Sequence, residues 1–145
     1  MAKLTLSKAN SIIRNAIKKA RAGNAPEIAV VVLDNHGHIV AVQREDGASM
    51  FRVDVSLGKA WGAVAMGEPS RQLAKKAANN PNFISALSTL SGGKILPNPG
   101  GVLIRDKKNK IIGAVGISGD TGANDEIFAI TGIEAAGLVA DNGEK

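Results

Sequence analysis

Two blocks near opposite ends of the chain each read as strand, tight polar turn, strand, and together they restrict what it can fold into. The first is Ile28-Ala-Val-Val-Val-Leu-Asp-Asn-His-Gly-His-Ile-Val-Ala-Val-Gln-Arg-Glu-Asp-Gly-Ala48; the second is Gly101-Val-Leu-Ile-Arg-Asp-Lys-Lys-Asn-Lys-Ile-Ile-Gly-Ala-Val-Gly-Ile-Ser-Gly119. From Ile28 to Leu33 the residues are almost all β-branched or aliphatic, as in a strand covered on both faces. Asp34-Asn35-His36-Gly37 supplies the turn and Ile39 to Val42 the partner strand. In the second block, Gly101 to Asp106 pairs with Ile111 to Ile117. Such hairpins pair antiparallel, which excludes a doubly wound parallel sheet.

Helical patterns surround the hairpins. Leu6, Ala9, Ile12, Ile13, Ala16, Ile17 and Ala20 recur at helical spacing until Gly23-Asn24-Ala25-Pro26 stops them. A second helix starts near Val53 or Asp54 and ends before Gly67. Ser70 caps a third through Ala78, and Pro81 opens a fourth through about Leu87. Ser91 to Gly101 is too rich in glycine and proline for a helix and leaves room for a brief edge strand from Lys94 to Leu96. The last helix spans about Asp125 to Ala140, with Ile127, Ile130, Ile133 and Leu138 as its larger contacts and a thin alanine and glycine side suited to lying close to a sheet. The order implies an α+β fold, a central antiparallel sheet of about five strands flanked by helices. The terminal helices share one face and the middle helices cover the other face or an edge.

At 145 residues the chain is read as a single domain, 1–145. The absence of cysteine excludes disulfides, thiolate catalysis and sulfur-ligated metal, and it fits a cytoplasmic location. No apolar run reaches the roughly 20 residues of a membrane span, so no membrane partner is expected. Net charge is +5, but the cations fall in separate groups and the chain has no tyrosine and few other aromatics to stack on bases, so no nucleic-acid partner is expected.

Ala29-Val-Val-Val-Leu-Asp34, Gly37-His-Ile-Val-Ala41, the Arg44-Glu-Asp-Gly-Ala48 corner, Lys59-Ala60, Pro99-Gly-Gly101, and Gly113-Ala-Val-Gly-Ile-Ser-Gly119 with Asp125-Glu126 occur in an order and spacing that covers nearly the whole chain. In these elements the sequence resembles the GlcG/HbpS family of heme-binding and heme-binding-like proteins, which includes the C-terminal domain of PduO-type proteins. The resemblance implies a profilin-like fold, assembly into homo-oligomers from dimer to octamer, and a place beside bacterial operons for glycolate, glycerol or diol use. Some family members bind heme, so heme is the candidate cofactor.

Heme iron takes an axial imidazole, thiolate, thioether or phenolate. Without Cys or Tyr, the chain offers His36, His38, Met50 and Met66 beside the terminal Met1, and the two histidines flanking Gly37 are the first candidates. Their alternative role is that of exposed turn residues, and with Asp34 as the one nearby acid they lack a third ligand for a separate metal. The polar corners Asp46-Gly47 and Ser118-Gly119 are read as bordering a common concavity. Arg44 and Asp46 lie two apart on a strand and so share a face. Lys59, the lone charge in a small apolar helical stretch, reaches water, pairs with Asp46 or holds an anionic ligand. Gly100 and Gly101 border the Ser118-Gly119 corner by antiparallel pairing and offer N–H groups to a ligand. Thr121 or Asn124 caps the last helix, while Asp125 and Glu126 diverge by about 100° on a helix and make a poor acid/base couple. Ser118 lacks a histidine partner, which argues against a hydrolase.

The leading expectation is therefore a small-ligand-binding accessory protein with heme as the candidate ligand. One rival is an enzyme acting on a small hydroxy- or oxo-acid, with Arg44 or Lys59 on the carboxylate and Asp46 or Glu126 moving a proton. Another is an assembly partner of operon enzymes without a ligand of its own.

Overall fold

The computed structural model describes residues 3–144; Met1, Ala2 and Lys145 lie outside the described residues. Its elements are α1 (Leu6–Ala22), β1 (Ala29–Asp34), β2 (Ile39–Arg44), α2 (Phe51–Met66), α3 (Ser70–Asn79), α4 (Pro81–Leu90), β3 (Gly101–Arg105), β4 (Ile111–Ser118), α5 (Gly122–Ala135) and β5 (Val139–Asp141). The fold is α+β. All strands pair antiparallel in the order β2-β1-β4-β3-β5, so the two hairpins meet along β1 and β4 at the centre.

Helices α1 and α5 cover one face, where Ile12, Ile13, Val30, Val32, Val115, Ile117, Phe128 and Ile133 are buried. Helix α2 covers the other face through Ala60 and Ala63, against Val31, Leu33, Leu103 and Ala114. Glycine permits the close fit on this second face, because a Cβ at Gly116 would overlap the Ser56 carbonyl oxygen. The thin side of α5 also brings it close to α1, since Gly132 abuts the Ile12 carbonyl.

Several boundaries differ from the sequence reading. Helix α2 starts at Phe51, where Ser49 Oγ accepts the Phe51 N–H at 3.2 Å. Ser70 is the first residue of α3 rather than its cap; its hydroxyl instead accepts the Gly101 N–H at 2.7 Å. Helix α4 continues to Leu90. Residues 94–96 form no strand, because Ile95 packs on Gly62 and the Leu96 N–H donates to the Gly58 carbonyl beside α2. The last helix ends at Ala135; Gly137, with φ of 78°, turns the chain so that Val139 to Asp141 pair with β3.

Candidate functional site

The strand register sets Arg44, Ala29 and Ser118 in one row across three neighbouring strands, at the end of the sheet where α2 begins. Paired residues share a face. Ala29 alternates with Val31, so the row faces α2, and from the first turn of that helix Arg52 Nη1 donates to Ser118 Oγ at 3.3 Å. Arg44 is exposed and Arg52 half-buried, and neither joins an ion pair among the described residues. Both glycine corners adjoin Glu27: Gly47, with φ of 87°, lies beside its side chain, and Gly119 lies on its carbonyl. Asp46 lines an open cleft of about 410 Å³ on the α1 side with Arg21, Glu27, Gln43 and Glu45, and Arg44 forms the rim between this cleft and the α2 face. Ser118 and Gly119 are not among the residues lining this cleft.

Beneath the row is a buried ion pair. Lys59 Nζ lies 3.1 Å from Asp125 Oδ2 and donates to the Ile117 carbonyl at 2.9 Å, with only 2% of Lys59 and 1% of Asp125 exposed. Lys59 thus pairs with Asp125, and the expected pairing with Asp46 is not formed. Burial pushes the Lys59 ammonium pKa down, with Asp125 opposing, and burial likewise pushes the Asp125 carboxyl up, with Lys59 opposing. Gly100 is needed for this packing, since a Cβ there would lie 2.8 Å from Lys59 Nζ, and a Cβ on Gly101 would overlap the Lys59 carbonyl. The next carboxylate points elsewhere. Glu126 is gripped by Arg71, whose Nε is 3.1 Å from Oε2, and by Asn142 at 3.0 Å; Arg71 also reaches Glu144. Lys59, Gly100, Gly101 and Asp125 therefore form a packed polar frame under Ser118, whereas Glu126 belongs to a separate cluster with Arg71 and Asn142. Thr121 Oγ1 accepts the Asn124 N–H at 3.2 Å and caps α5.

The histidine turn closes the opposite end of β2, six residues and about 20 Å from Arg44. Asp34 Oδ1 accepts the N–H groups of His36 at 2.9 Å and His38 at 3.0 Å. Slight desolvation raises the Asp34 carboxyl, but these backbone bonds from His38 and His36 prevail and hold it below its ordinary value. Both imidazoles are exposed. Gly37, with φ of 81°, lets the turn approach Trp61, because a Cβ there would be 3.3 Å from Trp61 Nε1. Lys94 Nζ sits 5.4 Å from the centre of the Trp61 ring system.

Between these ends runs an apolar seam. Val42 on β2 and Val53, Leu57 and Trp61 on α2 are half-buried against the α2-side core. Ile39 pairs with inward-facing Leu33 and is 58% exposed, extending the seam to the histidine turn. The sequence reading missed Arg52, Trp61, Arg71 and Asn142. Val53, Leu57 and Trp61 recur at four-residue spacing, the one local signal for this stripe; the ion-pair partners of Arg71 and Lys59 are set by tertiary folding. Among the described residues, no three His, Cys, Asp or Glu side chains are grouped to hold a metal ion, and no helix is long and apolar enough to cross a membrane.

The chain resembles several known proteins over most of its length. It is 29% identical over 134 residues to an uncharacterized 15.0 kDa protein from the dhaT-dhaS intergenic region of Citrobacter freundii, covering 92% of each chain. The crystal structure of the PduOC:heme complex superposes with a TM-score of 0.85 at 25% identity, covering 97% of this chain and 99% of that one. A second match is the crystal structure of HbpS, with a TM-score of 0.78 and 27% identity over 92% of this chain and 90% of that one. The family model described as "Haem degrading protein HbpS-like" matches residues 4–134, and with that match the chain belongs to the HbpS-like family.

Proposed function

We propose that the protein binds heme, or a closely related planar tetrapyrrole carrying carboxylates, along the seam between α2 and β2. The carrying observation is the arrangement of this surface: two exposed imidazoles at one end, a half-buried apolar stripe, and at the other two guanidiniums that pair with no carboxylate among the described residues. The likeness to a protein solved with heme supports the reading. The donor set fits the group, since imidazole is a common axial ligand of heme iron and guanidinium suits carboxylates. His36 or His38 would ligate the iron, Ile39, Val42, Leu57 and Trp61 would cover the apolar plane, and Arg44 and Arg52 would meet the carboxylates. When bound, heme supplies a redox-active iron centre. Asp34 fixes the histidine turn, and the Lys59–Asp125 pair keeps Ser118 and Arg52 in place from below.

Lys59 is sealed by Asp125 and the Ile117 carbonyl, which leaves it unsuited to the substrate-holding role of the enzyme reading. Titration of the purified full chain with hemin, followed at the Soret band, tests the proposal. A saturable shift is expected. Replacing both His36 and His38 by alanine should change the ligation spectrum, and Arg44→Ala with Arg52→Ala should weaken binding by about tenfold or more. A titration without saturation overturns the proposal, and an unchanged spectrum in the double-histidine variant removes those two ligands. Following the band over time with an added reductant and oxygen separates holding heme from degrading it.

A further inference from the structure

The segment Asp141-Asn142-Gly143-Glu144 is tied by its side chains to three other elements. Asp141 Oδ2 lies 2.9 Å from Arg105 Nε on β3, Asn142 Nδ2 donates to the buried Glu126 of α5 at 3.0 Å, and Glu144 pairs with Arg71 of α3. Asn142 is the chain's only asparagine followed by glycine. The fold keeps that neighbour, since Gly143 has φ of 86°, in the left-handed region that favours glycine. Without a side chain, the Gly143 nitrogen is unhindered from closing an imide ring on the side-chain amide of the residue before it.

We infer that Asn142 is a self-modification site: it deamidates through a cyclic imide, and the product loosens the segment from α5. Gly143 N is the attacking atom, and its N–H donates to Asp141 Oδ1 at 2.9 Å, so a carboxylate already holds the proton that must leave. The Glu144 N–H donates at 3.1 Å to Asn142 Oδ1, the oxygen on which negative charge gathers as the ring closes. A bond forms from Gly143 N to Asn142 Cγ, the Cγ–Nδ2 bond breaks, and Nδ2 leaves as ammonia with the proton lost from Gly143. Water then opens the imide at either carbonyl, giving aspartate or isoaspartate with no change of oxidation state. Asp141, Asn142 and Gly143 are half-buried and Glu144 is exposed, so water reaches the ring. Either product sets a carboxylate where an amide donor faced Glu126, which is only 1% exposed. The two like charges repel, and Arg71 is already divided between Glu126 and Glu144. Isoaspartate also adds a carbon to the main chain, which draws Glu144 out of line with Arg71.

Peptide mass spectrometry of the full chain, aged at neutral pH, tests the site. Asn142 should exchange its amide for a hydroxyl faster in the native chain than in the same chain held unfolded in urea, with electron-transfer fragmentation separating aspartate from isoaspartate. Asp141→Asn should slow the native reaction severalfold and leave the unfolded one unchanged. A native rate at or below the unfolded rate, or one that Asp141→Asn does not slow, overturns the inference. Asn142→Asp reproduces the product's charge and should speed hydrogen exchange of the Val139 to Asp141 amides, whereas Asn142→Ala, which removes the donor without adding charge, should speed it less. Equal exchange in the two variants overturns the loosening by charge.

Discussion

The two faces of the sheet are built on different plans. Under α1 and α5, large aliphatic side chains and Phe128 fill the space. Under α2 the helix contributes mainly alanine, glycine and serine against Val31, Leu33 and Leu103, so it sits almost on the strands, and a buried lysine takes part. The first face supplies apolar burial that tolerates adjustment; the second holds backbone against backbone and leaves little room to adjust. A site that depends on the placement of Arg52 and Ser118 is accordingly on the tighter face.

Substitutions that enlarge the tight face should do most damage. Gly116→Val drives a branched side chain into the Ser56 carbonyl, and no soluble folded protein is expected, as measured by expression and circular dichroism. Lys59→Met leaves Asp125 buried without its partner and should cost about 3–5 kcal/mol in urea denaturation. On the opposite face Ile133→Ala should cost about 2–5 kcal/mol and, unlike Gly116→Val, leave a folded protein; an Ile133→Ala variant that fails to fold would remove the contrast between the faces.

Neutralising both members of the pair sharpens the comparison. Lys59→Met with Asp125→Asn should be less destabilised than Lys59→Met alone, because no unpaired buried charge remains. Its pH dependence has a definite sign. Between the ordinary Asp125 pKa of 3.8 and its raised folded value, the folded state binds more protons, so this group's contribution falls as pH rises. Between the lowered folded pKa of Lys59 and its ordinary 10.5, the folded state binds fewer protons, so that contribution climbs as pH rises. The double variant should therefore compare best with the wild type near neutral pH and lose ground toward both extremes, in urea melts across the range. The smallest change expected is for Thr121→Ala, about 1 kcal/mol from the lost α5 cap.

The hairpins and most helices were legible because local chemistry specifies them: β-branched runs, Asp-Asn-His-Gly in the turn, and Gly-Asn-Ala-Pro after α1. Asn24 takes the left-handed conformation there, with φ of 52°. Strand β5 was not legible as a strand, since Val139 to Asp141 is too short for a pattern and its pairing comes from β3. Gly137 did carry a stop signal that was read as mere thinness of the helix. The candidate site divides in the same way. Its glycines, Arg44, Ser118 and the histidine turn could be picked out locally, and the lone charge marked Lys59 as unusual. Its partner Asp125 lies 66 positions away and emerged only from the fold.

The central seam of the sheet joins β1 to β4, strands from different hairpins, with α2, α3 and α4 strung between them. Each hairpin can close locally, but the molecule acquires its core only when this long loop is shut, so topology sets the pace of folding. The bend at Gly92 and Gly93 faces open space, and a backbone break there would leave one complete hairpin in each fragment. The two pieces would then carry between them all the instructions for reassembly, with the β1–β4 border as the place where they dock.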